Sequence, residues 1–188
     1  MSRGDARPSF FLYAHRMDQS AFYGVVSAIN FTLLGLWWVA VKDRAKPAGI
    51  DVGGVALSSR TAYLVSLQFV IPGTVSLLAQ VAPDVAIVWR AAFAVAGLVG
   101  AVGVVLLAEE IRRTSDARIA PMLFLIAGVP LYLLVAAVAA IPGLSQIFGP
   151  GFTPIQVEAL LLSLLVFLGV QEAWVVSMTP TRASDRQA

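Results

Sequence analysis

Five stretches of 21 to 24 residues, at 21–41, 61–82, 85–108, 119–141 and 155–178, are almost free of charge and rich in aliphatic side chains. About 20 apolar residues in helical geometry cross the hydrocarbon core of a bilayer. Inside that core every backbone N–H and C=O needs a protein partner, which a helix supplies from within its own segment. The pattern predicts an all-α polytopic integral membrane protein with five transmembrane helices in one bundle. Residues 21–178 then form a single membrane domain, with an N-terminal arm at 1–20 and a polar C-terminal tail at 179–188. The connecting segments are too short to hold a soluble domain.

The remaining composition narrows the chemistry. Charged residues make up only 13% of the chain, and the formal net charge is +2. Lys and Arg fall between the apolar runs, where they anchor loops and set topology, so nucleic acid is not an expected partner. There is no cysteine, hence no disulfide framework, thiolate nucleophile or Cys metal site. The single histidine, His15, has no companion for metal binding, and no HExxH, GxSxG or Gly-rich phosphate loop occurs. No metal, no cofactor and no enzyme activity are expected. The first apolar run is too long for a signal-peptide core and is read as a retained span.

Punctuation marks the span ends. Trp37 and Trp38 precede Lys42, Asp43 and Arg44, the order expected of rings at headgroup level with charges beyond. Gly and Pro residues argue against helix in the loop 42–60, and Pro83 with Asp84 leaves a tight turn that makes spans 2 and 3 an antiparallel hairpin. Residues 109–118 read as a charged loop. Residues 143–153 read as a plain Gly-Pro-Gly turn, with a re-entrant loop as the alternative. Nine Lys and Arg residues lie on the side of loops 42–60 and 109–118 and the tail, against three on the other side. Positive loops stay cytoplasmic, so the N-terminus is expected outside the cell membrane and the C-terminus in the cytoplasm.

Ionisable groups inside spans are costly and are functional candidates for that reason. The chain has three: Arg90, Glu158 and Glu172. Arg90 and Glu158 fall at similar depth near the outer surface, either as an interhelical ion pair or as side chains that snorkel separately. The pair would bring spans 3 and 5 together at their outer ends. Arg90, Ala94, Gly97 and Ala101 lie on one stripe of span 3, where a neighbouring helix can approach closely. Glu158 and Glu172 share one face of span 5.

Gln68 lies at a depth similar to Glu172, and Pro72 removes the N–H that would bond the Gln68 carbonyl. Glu172, Gln68, Asn30 and Gln171 can together form a polar pocket or ion path. Alternatively Gln68 and Glu172 bond one another as interhelical glue, and Asn30 makes an interhelical amide bond.

Residues 16–34, RMDQSAFYGVVSAINFTLL, faintly resemble the first-helix signature of a bacterial and lysosomal potassium-channel family. The Ser-Asp pair of that signature is missing and the family has six spans per repeat, so no function is carried over.

Two functional readings follow. The first is a non-catalytic membrane component that acts in the lipid bilayer through homo-oligomers or a membrane partner protein, on the small-residue faces of span 3. The second is a small channel or carrier for ions, protons or a small solute, with an intramembrane acidic site.

Overall fold

The computed structural model describes residues 7–44, 58–81, 85–114 and 119–178, with side chains of the first helix described over 19–42. Expectations for residues 1–6, the centre of the first loop, Pro83 and Asp84, residues 115–118 and the tail lie outside these. Among the described residues there is no strand. The five helices are α1 Arg7–Arg44, α2 Ser59–Val81, α3 Ala86–Thr114, α4 Ile119–Ala140 and α5 Pro154–Met178, and a short 3-10 helix, Pro142–Phe148, joins the last two. Each of the five is long and apolar enough to cross a bilayer. The chain is an all-α, membrane-embedded bundle.

Two helices run further than the apolar pattern. α1 starts at Arg7 and holds 38 residues, so part of the expected arm is helical. At about 1.5 Å per residue that helix is roughly 57 Å long, well beyond hydrocarbon thickness. α3 continues to Thr114 through the residues expected to form a charged loop. Charged pairs accompany this extension: Arg113 Nε donates to Glu109 Oε1 at 3.0 Å, one helical turn away, and Arg60 of α2 lies 3.6 Å from Glu110. Such i,i+4 pairs support an exposed helical turn.

Successive helices pack as antiparallel neighbours, α1 on α2, α2 on α3, α3 on α4 and α4 on α5, and α5 closes against α1. α2 also touches α5 across the middle and is the most enclosed span. The surface at which α1, α3 and α5 begin is called the near face below, and the opposite one the far face.

Glycines set the closest approaches. A Cβ on Gly97 would stand 2.6 Å from the Tyr132 carbonyl oxygen and 2.7 Å from the Ala136 nitrogen, and one on Gly100 would overlap the Tyr132 ring. The small-residue stripe of α3 therefore receives the backbone of α4. This corrects the expected neighbour: α3 packs on α4 and α2, and α5 is not among its main contacts.

Trp37 departs from the expected surface belt. It is buried, and its indole N–H donates to the Ala62 carbonyl of α2 at 3.0 Å, whereas Trp38 is exposed as a belt residue would be. Residues 142–153 form the 3-10 helix and a turn with positive φ at Gly149 (146°) and Gly151 (103°), conformations that glycine adopts without strain. The 3-10 helix packs on α4 and α5, where it covers the near end of their seam.

Candidate functional site: polar groups buried between the helices

Arg90 does not pair with Glu158. Its Nε and Nη2 donate to the carbonyls of Ala139 and Ala140 at 2.8 and 3.0 Å. Those carbonyls end α4, lack intrahelical partners and carry the negative end of the helix dipole, so a guanidinium is well placed there. The sequence offered Arg90 a carboxylate partner or separate snorkelling to the interface, and the observed partner is neither. A helix terminus at the same depth competes for the same donors.

Glu158 and Glu172 are both 0% exposed, and neither oxygen of either carboxyl has a hydrogen-bond partner among the described residues. They lie on the buried face of α5 with Leu161, Leu162, Leu165 and Gly169 between them. Glu158 sits near Tyr23 of α1, within reach of its charge, and the Tyr23 hydroxyl donates to the Ile155 carbonyl at 2.7 Å.

Glu172 lies in an inner cluster built from three helices. Tyr132 of α4 donates its hydroxyl to Gln68 Oε1 of α2 at 2.7 Å, and Glu172 is within electrostatic reach of that phenol. Gln68 Nε2 has no partner. Gly169, one turn before Glu172, admits α2 closely: a Cβ there would stand 3.4 Å from both Gln68 Cβ and the Gln68 carbonyl oxygen. That carbonyl is the one Pro72 deprives of its usual N–H, because proline has none to give. The Tyr132–Gln68 bond, the Glu172 carboxyl and the Gln68 backbone carbonyl thus belong to one buried polar region between α2, α4 and α5.

Gln68 and Glu172 do not bond one another, which removes the simple glue reading of that pair. Gln171 is exposed while Glu172 is buried, as one residue turns a helix by about 100°. It does not join the pocket. Asn30 makes no interhelical bond: its Nδ2 donates back to the Val26 carbonyl at 2.8 Å, and its Oδ1 is buried without a partner.

Between the two acids lies a further polar level. A Cβ on Gly73 would stand 3.1 Å from Asn30 Cβ, and one on Gly24 would stand 2.8 Å from Gln80 Nε2, which fixes the antiparallel register of α1 against α2. That register sets buried Ser76 beside the level of buried Ser27, and Ser76 Oγ has no partner. Sequence reading missed Tyr132, Tyr23 and Ser76. The tyrosines counted as apolar within apolar runs, although a buried phenol needs a partner for its hydroxyl and so signals a polar contact. In all, seven buried side-chain atoms on Asn30, Gln68, Ser76, Glu158 and Glu172 lack partners among the described residues. No group of three or more His, Cys, Asp or Glu side chains spaced for a metal ion occurs among them.

Comparison with protein families, with curated proteins and with solved structures finds no match to this chain.

Proposed function

We propose that this membrane-embedded bundle carries protons or small monovalent cations between its two faces, using Glu158 and Glu172 as buried relay sites. The supporting observation is the pair of fully buried carboxyl groups whose four oxygens have no partner among the described residues. In hydrocarbon each unsatisfied polar group costs on the order of several kcal/mol. Arg90 is engaged at the end of α4, so it does not neutralise either acid. A proton or a bare monovalent cation can do so. Buried carboxyl groups facing a bundle interior mark such pathways in membrane proteins.

The level of Asn30 and Ser76 supplies oxygen acceptors between the acids, and Pro72 leaves the Gln68 carbonyl without its usual helical donor. The excess of Lys and Arg on the far side supports an orientation with the near face outside, in which Glu158 serves as the outer site and Glu172 as the cytoplasmic one. No catalytic role is assigned.

The first reading of the sequence, action through partners or self-assembly, is supported by the absence of a catalytic motif and by the small-residue stripe of α3. Gly97 and Gly100 are already covered by α4, so that stripe is consumed within the chain.

Purified protein in liposomes, with a trapped pH or cation indicator, tests the proposal. Flux down an imposed gradient is expected and should be lost in Glu172→Gln. No flux under either gradient, or equal flux in the variant, overturns it.

A further inference from the structure

A cavity of about 340 Å³ opens at the near face between α1, α5 and the turn before α5, walled by Phe22, Tyr23, Phe152 and Leu160, with Gln19 and Gln156 among its lining. Its volume falls in the range of small-molecule sites, roughly 300 to 1,000 Å³. From Gln156 to Ser163, both lining residues, the wall descends about 10 Å along α5.

The chemistry of the wall selects the occupant. The Tyr23 hydroxyl is spent on the Ile155 carbonyl, which leaves its ring for the cavity. The Ser163 hydroxyl donates to the Ala159 carbonyl of its own helix, and Gln156 Oε1 accepts the Thr153 N–H. The wall carries no carboxylate, in contrast to the buried acids behind it, and most of its surface is aromatic and aliphatic. Phe152 (41% exposed), Leu160 (52%) and exposed Ser163 lie on the outward side, so the cavity opens toward lipid along the α1–α5 seam.

We infer that this cavity is a lipid site that holds an acyl chain of a bilayer phospholipid, separate from the path through the buried acids. The chain runs down the seam from the level of Gln156 to that of Ser163, against the rings of Phe22, Tyr23 and Phe152. Tyr23 is the partition between the two environments, with its ring toward the chain and its hydroxyl on the side of α5.

The test uses full-length protein in liposomes of a phospholipid that carries a photoreactive diazirine on its acyl chain, with labelled positions mapped by mass spectrometry. Labelling at 19–23 and 152–163 is expected to exceed, several-fold, that at equally exposed positions of α3 and α4 such as Val102 and Leu123. Ala159→Trp, which fills the cavity from its wall, should bring the labelling there down to that background. Leu164→Trp, on the exposed face of the same helix outside the cavity, should leave it unchanged. Uniform labelling of all exposed positions, or equal effects of the two substitutions, overturns the inference. The readout does not depend on flux, so it stands or falls apart from the transport proposal.

Discussion

The Tyr132 hydroxyl donates a 2.7 Å hydrogen bond to the Gln68 side-chain oxygen and so ties the middle of α4 to α2. Both residues are buried, and Tyr132 also closes the space left by Gly100 of α3. Tyr132→Phe keeps the ring against Gly100 and removes only the donor. Gln68 Oε1 is then orphaned in the bundle interior, at a cost of about 1–3 kcal/mol. Thermal unfolding in detergent should show a lowered midpoint, whereas an unchanged midpoint would mean the bond is not made in the folded protein.

Glycine substitutions should separate by what a Cβ would meet. Gly97→Val drives a side chain into the α4 backbone, where nothing flexible can yield. Overpacking of this kind costs about 1–3 kcal/mol or more. At Gly35 of α1 a Cβ meets nothing within 4 Å. Gly35→Ala should therefore be neutral or slightly stabilising, by up to about 1 kcal/mol, since glycine is a poor helix former. Equal destabilisation at both sites, read by the same unfolding assay, would contradict the α3–α4 packing.

Arg90 should act as a cap on α4 and not as half of an ion pair. Arg90→Gln removes the cation from the helix end, at a cost of about 0.3–2 kcal/mol. A double-mutant cycle with Glu158→Gln should give additive losses, because the two side chains share no bond. Coupling well above about 0.5 kcal/mol would restore the ion pair.

The pairs at the far end of α3 should matter little. Arg113 and Glu109 are 64% and 47% exposed, and exposed helix pairs contribute about 0.3–0.5 kcal/mol at most. Arg113→Ala should shift the unfolding midpoint only slightly, and less in high salt. A large, salt-independent loss would show that this turn is packed against something further.

The membrane-spanning helices were legible in the sequence because the bilayer imposes a length and a polarity that composition displays directly. Spans 2, 4 and 5 end within two residues of the apolar pattern. The ends of α1 and α3 lie beyond the apolar pattern, because hydropathy marks the hydrocarbon crossing and not the helix end; at α3 the spacing of four between Glu109 and Arg113 is the sequence signal of continued helix. The identity of Glu158, Glu172 and Gln68 as buried polar groups could be read from their place inside apolar runs. Their neighbours could not. Which helix faces which depends on packing, and the Arg90 carbonyl partners and the Tyr132 hydroxyl arise only once α3, α4 and α2 are brought together.

The central claim is that Glu158 and Glu172 each exchange a proton or cation with the bathing solution. Infrared difference spectroscopy of the protein in lipid, on changing the proton or cation activity of the medium, reads those carboxyl groups directly. Two carboxyl signals are predicted, one absent in Glu158→Gln and the other in Glu172→Gln. A spectrum without carboxyl changes, or one that both substitutions leave intact, would contradict the account.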